Sequence, residues 1–310
     1  MQEPQFHLPF FANLLLLLVA ARILGEIMER LKQPAMIGEI LAGILLGPSV
    51  FNLIHRTEDI KVVSELGIFL LVILAGMEIH VDEILRSFKG KNIIISLLAF
   101  FLPIISGYFV GSAFQEDYLT SIFIGLCVAI TALPVSIRML MDIGKIHSSV
   151  GRKIISVAVF DDVLALTILG ILLNVKDTDM TFHSMVNASG YAILKLVIFI
   201  ALLAGAYWLI KKTLRKDSYL EELLDRWIPS LRGKEPLFAL FLIFVLLFST
   251  FTESLGLHFI VGAFFASMLV DEKLIGKINH QTIVKTTSTM SMGFLAPIFF
   301  AGIGLELSLS

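Results

Sequence analysis

Residues 156–172 read SVAVFDDVLALTILGIL, an apolar run whose only charged residues are the adjacent Asp161 and Asp162. A helix needs about 20 predominantly apolar residues to cross the hydrocarbon core of a bilayer. The run therefore predicts a membrane-spanning helix that carries two carboxylates well away from either end.

The composition of the whole chain agrees with a bilayer environment. Hydrophobic residues make up 57% of the 310 residues and charged residues 16%, against roughly 25% charged in an average soluble domain. A soluble fold of this length could not bury so much apolar surface. The formal net charge of -2, without a basic run interleaved with aromatic residues, argues against nucleic acid as a partner. The single cysteine, Cys127, excludes an internal disulfide.

About ten apolar segments approach the length of a membrane span, which predicts an all-α membrane protein. They cover approximately residues 8–24, 34–54, 62–80, 91–113, 119–141, 151–174, 189–211, 236–253, 255–272 and 288–308. The charged, amphipathic stretch 212–235 follows the seventh segment and is predicted to lie at the cytoplasmic interface. It belongs to one transmembrane domain that covers residues 1–310.

The loops between these segments differ in their content of Lys and Arg. The odd-numbered loops carry about 20 such residues and the even-numbered loops about 3. Because cytoplasmic loops of membrane proteins are enriched in Lys and Arg, the odd loops are predicted to be cytoplasmic. This orientation places the N-terminus outside.

The predicted topology places Asp161 and Asp162 near the middle of the membrane. The sixth segment enters from the cytoplasm near Gly151, so the pair lies roughly 16 Å along it. Charges at this depth are costly and indicate function. Adjacent residues of a helix point about 100° apart, so one carboxylate can face a substrate cavity while the other faces a structural partner. A carboxylate that binds either a proton or a cation suits an exchanger; a pair kept only for helix packing is the alternative.

The fifth segment contains AITALPVSIRML, residues 129–140, in which a proline falls at mid-membrane. Pro134 removes the backbone donor that the carbonyl of Ile130 would use in a continuous helix. Transporters bind ions at such helix breaks. The pattern predicts a break around Ala132 and Pro134, with Thr131 level with the aspartates as a hydroxyl ligand; an ordinary proline kink is the alternative.

Other charged residues are interpreted as interfacial. Glu39 and Glu78 fall near the ends of their predicted spans, and Arg138 lies near the cytoplasmic end of the fifth. A long side chain at that place can extend its charge to the membrane surface. Gly302 and Gly304 in the last segment are predicted to permit close packing of helices.

Six motifs, in order along the chain, resemble those of the monovalent cation:proton antiporters, specifically the second branch with the sodium/proton and Kef-type potassium/proton exchangers. They are PAMIGEILAGILLGPSVF (34–51), LGIFLLVILAGMEI (66–79), AITALPVSIRML (129–140), VAVFDDVLAL (157–166), LGLHFIVGAFFASMLV (255–270) and GFLAPIFFAGIGLEL (293–307). Each motif alone is weak, but six in family order are a strong indication.

The resemblance implies an inverted-repeat fold with a core domain and a dimerisation domain, alternating access by elevator-like movement of the core, a homodimer, and a place in the inner (plasma) membrane. It implies exchange of a monovalent cation for protons, with no cofactor besides the transported Na+ or K+ and H+. By motif position, Asp162 matches the essential carboxylate that carries the cation and the proton. Asp161 matches its neighbour, and Thr131 matches the threonine of the unwound stretch. An Asp at both positions favours Na+ over K+.

Two features depart from the family pattern. Electrogenic members pair the first aspartate with a lysine on a late helix, whereas here Lys285 precedes the last segment, which contains no lysine. The stoichiometry of exchange therefore stays open. Family members also continue for two or three more helices, so the chain is expected to lack the C-terminal part.

Three other functions are alternatives to exchange. A gated channel is one, but a deep titratable pair suits proton coupling better than a pore. A sodium-coupled organic-solute symporter of the bile-acid type also has about ten helices, but it is expected to hold its ions with Glu, Asn and Gln residues at mid-depth, and these are scarce here. An intramembrane aspartyl protease needs aspartates on different helices that face one water. Because Asp161 and Asp162 are adjacent on one helix, an enzyme is not expected.

Overall fold

The computed structural model describes residues 9–79, 81, 91–176, 182–213 and 235–307, and all regular structure in these ranges is helical. The helices in chain order are α1 (Phe10–Arg30), α2 (Ala35–Leu46), α3 (Glu58–Glu78), α4 (Lys91–Ala113), α5 (Tyr118–Ala129), α6 (Leu133–Asp142), α7 (Ser149–Lys176), α8 (Phe182–Thr213), α9 (Glu235–Ser254), α10 (Phe259–Leu269), α11 (Glu272–Ile275), α12 (Lys277–Met290) and α13 (Ala296–Glu306). A π-helical turn, Ser291–Leu295, joins α12 to α13. The predicted all-α class is confirmed.

Six stretches of the described chain are long and apolar enough to cross a membrane, judged by length and composition. They are Phe10–Arg30, Glu58–Glu78, Ile93–Ala113, Tyr118–Asp142, Glu235–Ser254 and Lys277–Glu306, and three shorter apolar helices accompany them. The predicted interfacial segment 212–235 falls mostly on residues 214–234, which lie outside the described residues.

The second predicted segment, 34–54, is not one continuous helix. Helix α2 ends at Leu46, and Gly47 is extended with φ -77° and ψ -175°. Pro48 explains the end of the helix, because it has no N–H for the carbonyl of Ile44 and disfavours helical geometry in the residue before it. The ninth segment is likewise shorter than predicted, because Gly256 adopts φ +78° and α10 begins only at Phe259.

Residues Met1–Ala75, Ile137–Lys145 and Gln281–Ser310 form one compact unit. At the centre of this unit, α1, α2 and α13 pack against one another. The fully or almost fully buried residues of this core are Leu17, Ala21, Ala42, Ile54, Ile60, Ile298, Ala301 and Leu305. A Cβ atom on Gly304 would overlap the carbonyl oxygen of Ile40, and one on Gly43 would overlap that of Ala301. The backbones of α2 and α13 are therefore in direct contact, as predicted for the glycines of the last segment.

The π-helical turn in this unit follows from the position of Pro297 in α13. In the turn, the amide of Ala296 donates to the carbonyl of Ser291, five residues back. Pro297 has no N–H, so the carbonyls of Gly293 and Met292, four and five residues before it, lack a donor within the helix. The Arg22 guanidinium of α1 donates to both carbonyls, with Nη2 2.6 Å from the Met292 oxygen.

Residues Gly76–Ser136 and Ile146–His280 form the second unit. In it, α4 packs on α5, α7 contacts both, and α8 runs beside α7. A further group, α8, α9 and α10, encloses a cluster of Phe199, Leu257 and Val261. The segment between α5 and α6 and the middle of α7 both belong to this unit, so the predicted site residues can be described together.

Candidate functional site

The helix predicted over residues 119–141 is interrupted at its centre. Helix α5 ends at Ala129, residues 130–132 are not helical, and α6 begins at Leu133. Ile130 has extended geometry, with φ -67° and ψ 121°. Pro134 lies in the first turn of α6, the part of a helix where its missing N–H is tolerated. Thr131 and Ala132 in the interruption are exposed, whereas Pro134 is buried.

The side chain of Thr131 reaches the carboxylate of Asp161. Asp161 lies near the middle of α7 and is 1% exposed. The Thr131 side chain lies close enough to interact with this carboxylate. The Oδ1 atom of Asp161 is buried and has no hydrogen-bond partner among the described residues. A buried carboxylate oxygen without a partner is unfavourable, so it is a candidate for binding a proton or a cation.

An apolar cluster holds the two halves of this site against each other. It consists of Phe100 of α4, Leu126 and Ala129 of α5, and Ala165 of α7. Ala129 is the last residue of α5 before the interruption, and Ala165 lies one turn beyond Asp161. Burial of this cluster fixes the end of α5 beside α7.

Asp162 is the next residue of α7 after Asp161, and its backbone is helical. The prediction for its side chain falls outside the described part of the structure. The described geometry therefore brings together Thr131 and Asp161, while the leading role of Asp162 stays a prediction.

The two side chains brought together, those of Thr131 and Asp161, both carry oxygen atoms that can bind a cation. A carboxylate and a hydroxyl are ligands that suit hard cations such as Na+ better than soft metals. The same carboxylate can instead bind a proton. The arrangement can therefore exchange one bound species for the other at a single place.

The sequence patterns did not indicate a second buried cluster of charged residues. Glu39 of α2 and Arg138 of α6, both interpreted from sequence as interfacial, are 1% and 3% exposed. Arg138 Nη2 lies 3.2 Å from Glu39 Oε1, and Arg138 Nε lies 3.0 Å from Asp142 Oδ1. The sequence did contain one indication of this cluster: Glu39 and Arg138 both fall inside predicted spans, where charges are rare.

Glu78, the last residue of α3, forms an ion pair within the second unit. Its Oε2 atom lies 3.0 Å from Nε2 of His147, and both side chains are partly exposed. The interpretation of Glu78 as interfacial stays a prediction.

Comparison with known proteins places the chain among cation exchangers. A family model described as "Sodium/hydrogen exchanger, transmembrane" matches residues 14–310. The Na(+)/H(+)-K(+) antiporter GerN of Bacillus cereus is 28% identical over 299 residues, which cover 96% of this chain and 72% of that protein. A Na(+)/H(+) antiporter of Enterococcus hirae is 27% identical over 301 residues, which cover 97% of this chain and 74% of that protein.

A solved structure has the same fold. The sodium proton antiporter MjNhaP1 from Methanocaldococcus jannaschii, at pH 8, superposes with a TM-score of 0.61 and 16% identity. The match covers 96% of this chain and 70% of that chain. The predicted antiporter fold is confirmed by this likeness.

Proposed function

The chain belongs to the transmembrane sodium/hydrogen exchanger family, and from this premise we propose that it is a secondary transporter that exchanges a monovalent cation for protons across the membrane. The observation that carries the proposal is the approach of the Thr131 side chain, in the helix interruption, to the buried carboxylate of Asp161. It joins an interrupted helix to the acidic pair, and such breaks are used by transporters to bind ions. Antiport also agrees with the names of the relatives.

Each site residue has a distinct role in the proposed exchange. Asp162 is the carboxylate that binds the cation and the proton in turn. Asp161 is its neighbour in the site and holds Thr131, whose hydroxyl supplies a further oxygen ligand. The interruption at Ala132, kept open by Pro134, presents backbone carbonyls to the cation.

Competition between the proton and the cation couples the two fluxes. When the carboxylate is protonated, it has no charge with which to hold the cation. When the cation is bound, its charge balances that of the carboxylate in place of the proton. If the site returns across the membrane only with this carboxylate protonated or bound to the cation, each cation carried one way requires proton movement the other way.

The finer features of the proposal follow the family resemblance. The Asp161–Asp162 pair favours Na+ over K+, and access to the site alternates between the two sides of the membrane. The protein works as a homodimer in the inner membrane with its N-terminus outside, and it uses no cofactor besides the transported ions. The relatives are named as antiporters, and these names give no support to a sodium-coupled solute symporter or to an enzyme.

The exchange is tested in inverted membrane vesicles with a dye that reports the internal pH. Addition of Na+ to acidified vesicles should restore the fluorescence of the dye, and K+ should do so less effectively. Asp162→Asn should abolish the signal, because a neutral amide cannot bind a proton and a cation in turn. The control is Glu26→Gln, which removes a charge from an exposed pair on α1. If Asp162→Asn exchanges ions as well as the wild type does, the proposed mechanism is wrong.

A further inference from the structure

Phe100 of α4 fills the place where α4, α5 and α7 meet in the second unit. Its side chain is fully buried, and it forms one apolar cluster with Leu126, Ala129 and Ala165. Each of the three helices contacts the other two. Ala129 of α5 and Ala165 of α7 have small side chains, so the phenyl ring supplies most of the side-chain volume between these helices.

The face of α7 that meets this cluster is the face that carries Asp161. Ala165 is buried in the cluster, and Leu164 and Ile168 pack against it. These residues follow Asp161 by three, four and seven positions, and residues at such spacings share one face of a helix. Asp161 is 1% exposed. Its side chain therefore leaves α7 on the side where Phe100 and the end of α5 lie.

The end of α5 brings negative partial charge to the same cluster. Ala129, the last residue of α5, is one of its buried members. The amide of Ile130 donates to the carbonyl of Leu126, but the last carbonyls of a helix have no partner within it. Pro134 also has no N–H to offer the carbonyl of Ile130. One cluster thus packs against both the negative end of the α5 dipole and the face of α7 that carries Asp161, and both features attract a cation.

We propose that Phe100 is a positioning residue for the cation site: its ring sets the spacing between the end of α5 and the turn of α7 that carries Asp161. This inference rests on the proposed function for the identity of the cation. The hydrocarbon ring of Phe100 offers the cation no oxygen ligand and carries no proton, so it acts through the two helices. With a smaller side chain, the helices move together or leave a cavity, and their oxygen atoms fit the cation less well.

The test measures the Na+ concentration for half-maximal exchange and the maximal rate separately. Phe100→Leu keeps an apolar side chain but removes volume. It should raise the half-maximal concentration about fivefold, because binding depends on ligand placement to within a fraction of an ångström.

Phe199→Leu on α8 is the matched control. Phe199 is 2% exposed, and its cluster with Leu257 and Val261 includes no residue of α4, α5 or α7 among its described members. The substitution removes the same volume from a similarly buried place in the same unit, so it should lower stability to a similar extent. The half-maximal concentration should stay that of the wild type.

A second substitution restores the lost volume from the opposite side of the cluster. Ala165→Val adds two methyl groups on α7 and by itself should also raise the half-maximal concentration, because it overpacks the cluster. In the Phe100→Leu background it should bring the concentration back toward that of the wild type, since the removed and added volumes compensate. Independent, multiplied increases would overturn the inference. So would a Phe100→Leu protein with the half-maximal concentration of the wild type, whatever its yield or maximal rate.

A binding measurement separates this inference from the proposed function. Na+ that binds the folded protein raises the unfolding temperature of the purified protein in detergent. If the wild type exchanges ions but Phe100→Leu binds Na+ at the same concentrations as the wild type, the positioning role is wrong and the proposed function stands. If the wild type binds Na+ without exchange, the proposed function is wrong, and a higher Na+ requirement of Phe100→Leu still supports the positioning role. A wild type that neither exchanges nor binds Na+ contradicts both.

Discussion

The side chain of Thr131, in the non-helical segment between α5 and α6, lies beside the carboxylate of Asp161 in the middle of α7 and interacts with it. The two residues lie thirty positions apart in sequence. The threonine hydroxyl serves the site in two ways, because it can donate to the carboxylate and offer its lone pairs to a cation. Asp161 Oδ1 has no partner among the described residues, so the carboxylate retains an oxygen for a ligand.

Removal of the Thr131 hydroxyl should weaken cation binding. Thr131→Ala is expected to raise the Na+ concentration for half-maximal exchange about tenfold, because the cation loses an oxygen ligand and the carboxylate loses its polar neighbour. Vesicle assays at a series of Na+ concentrations measure this change. Thr131→Ser retains the hydroxyl and should stay within about threefold of the wild type. Equal effects of Ala and Ser would show that the hydroxyl is not a ligand.

The contact between α2 and α13 should tolerate no side chain at Gly304. A Cβ atom there meets the backbone oxygen of Ile40, which cannot move aside without shifting α2. We expect Gly304→Ala to lower the free energy of unfolding by about 3 kcal/mol, in the range of severe overpacking. Thermal unfolding of the purified protein in detergent measures the loss. Gly205→Ala on α8 is the matched control, since a Cβ atom there has nothing within 4 Å.

Asp117 should give the protein a pH-dependent contribution to stability. Its carboxylate caps α5, and it accepts hydrogen bonds from the hydroxyl of Thr120 and from the amides of Thr120 and Leu119. These bonds, above all that from the Thr120 hydroxyl, hold the pKa of Asp117 below its ordinary value. The stabilisation is therefore present above the pKa of the unfolded chain and disappears as the pH falls through the pKa of the folded protein.

Asp117→Asn isolates this charge, because an amide can still cap a helix. The unfolding temperature of the variant should lie below that of the wild type near neutral pH. The difference should shrink as the pH falls below about 4, where the aspartate becomes protonated. A difference that persists unchanged into this acid range would rule out the charge as its source. Asp117→Ala, which removes the cap altogether, should be less stable than the wild type at every pH.

Much of the fold was predictable because it depends on local properties of the chain. Apolar segments form helices in a bilayer, since the backbone has no other partner for its hydrogen bonds there. Prolines decide the irregular points: Pro134 lies just after the interruption at 130–132, Pro48 follows the end of α2, and Pro297 lies just after the π-helical turn. The predicted length of the 34–54 span was wrong. The prediction followed the hydropathy of the whole segment and gave too little weight to Gly47–Pro48, a pair that ends a helix.

The sequence by itself determined the membrane-spanning helices, the place of the helix break and the acidic pair Asp161–Asp162, because hydropathy and proline act within one segment. Tertiary structure decided which polar groups meet. Arg138 and Glu39, 99 residues apart, form a buried ion pair that the sequence patterns did not indicate. Helices that are apolar on most faces carry no periodic signal for the side that faces protein rather than lipid. Only the rotation and packing of each helix against its neighbours bring such side chains together.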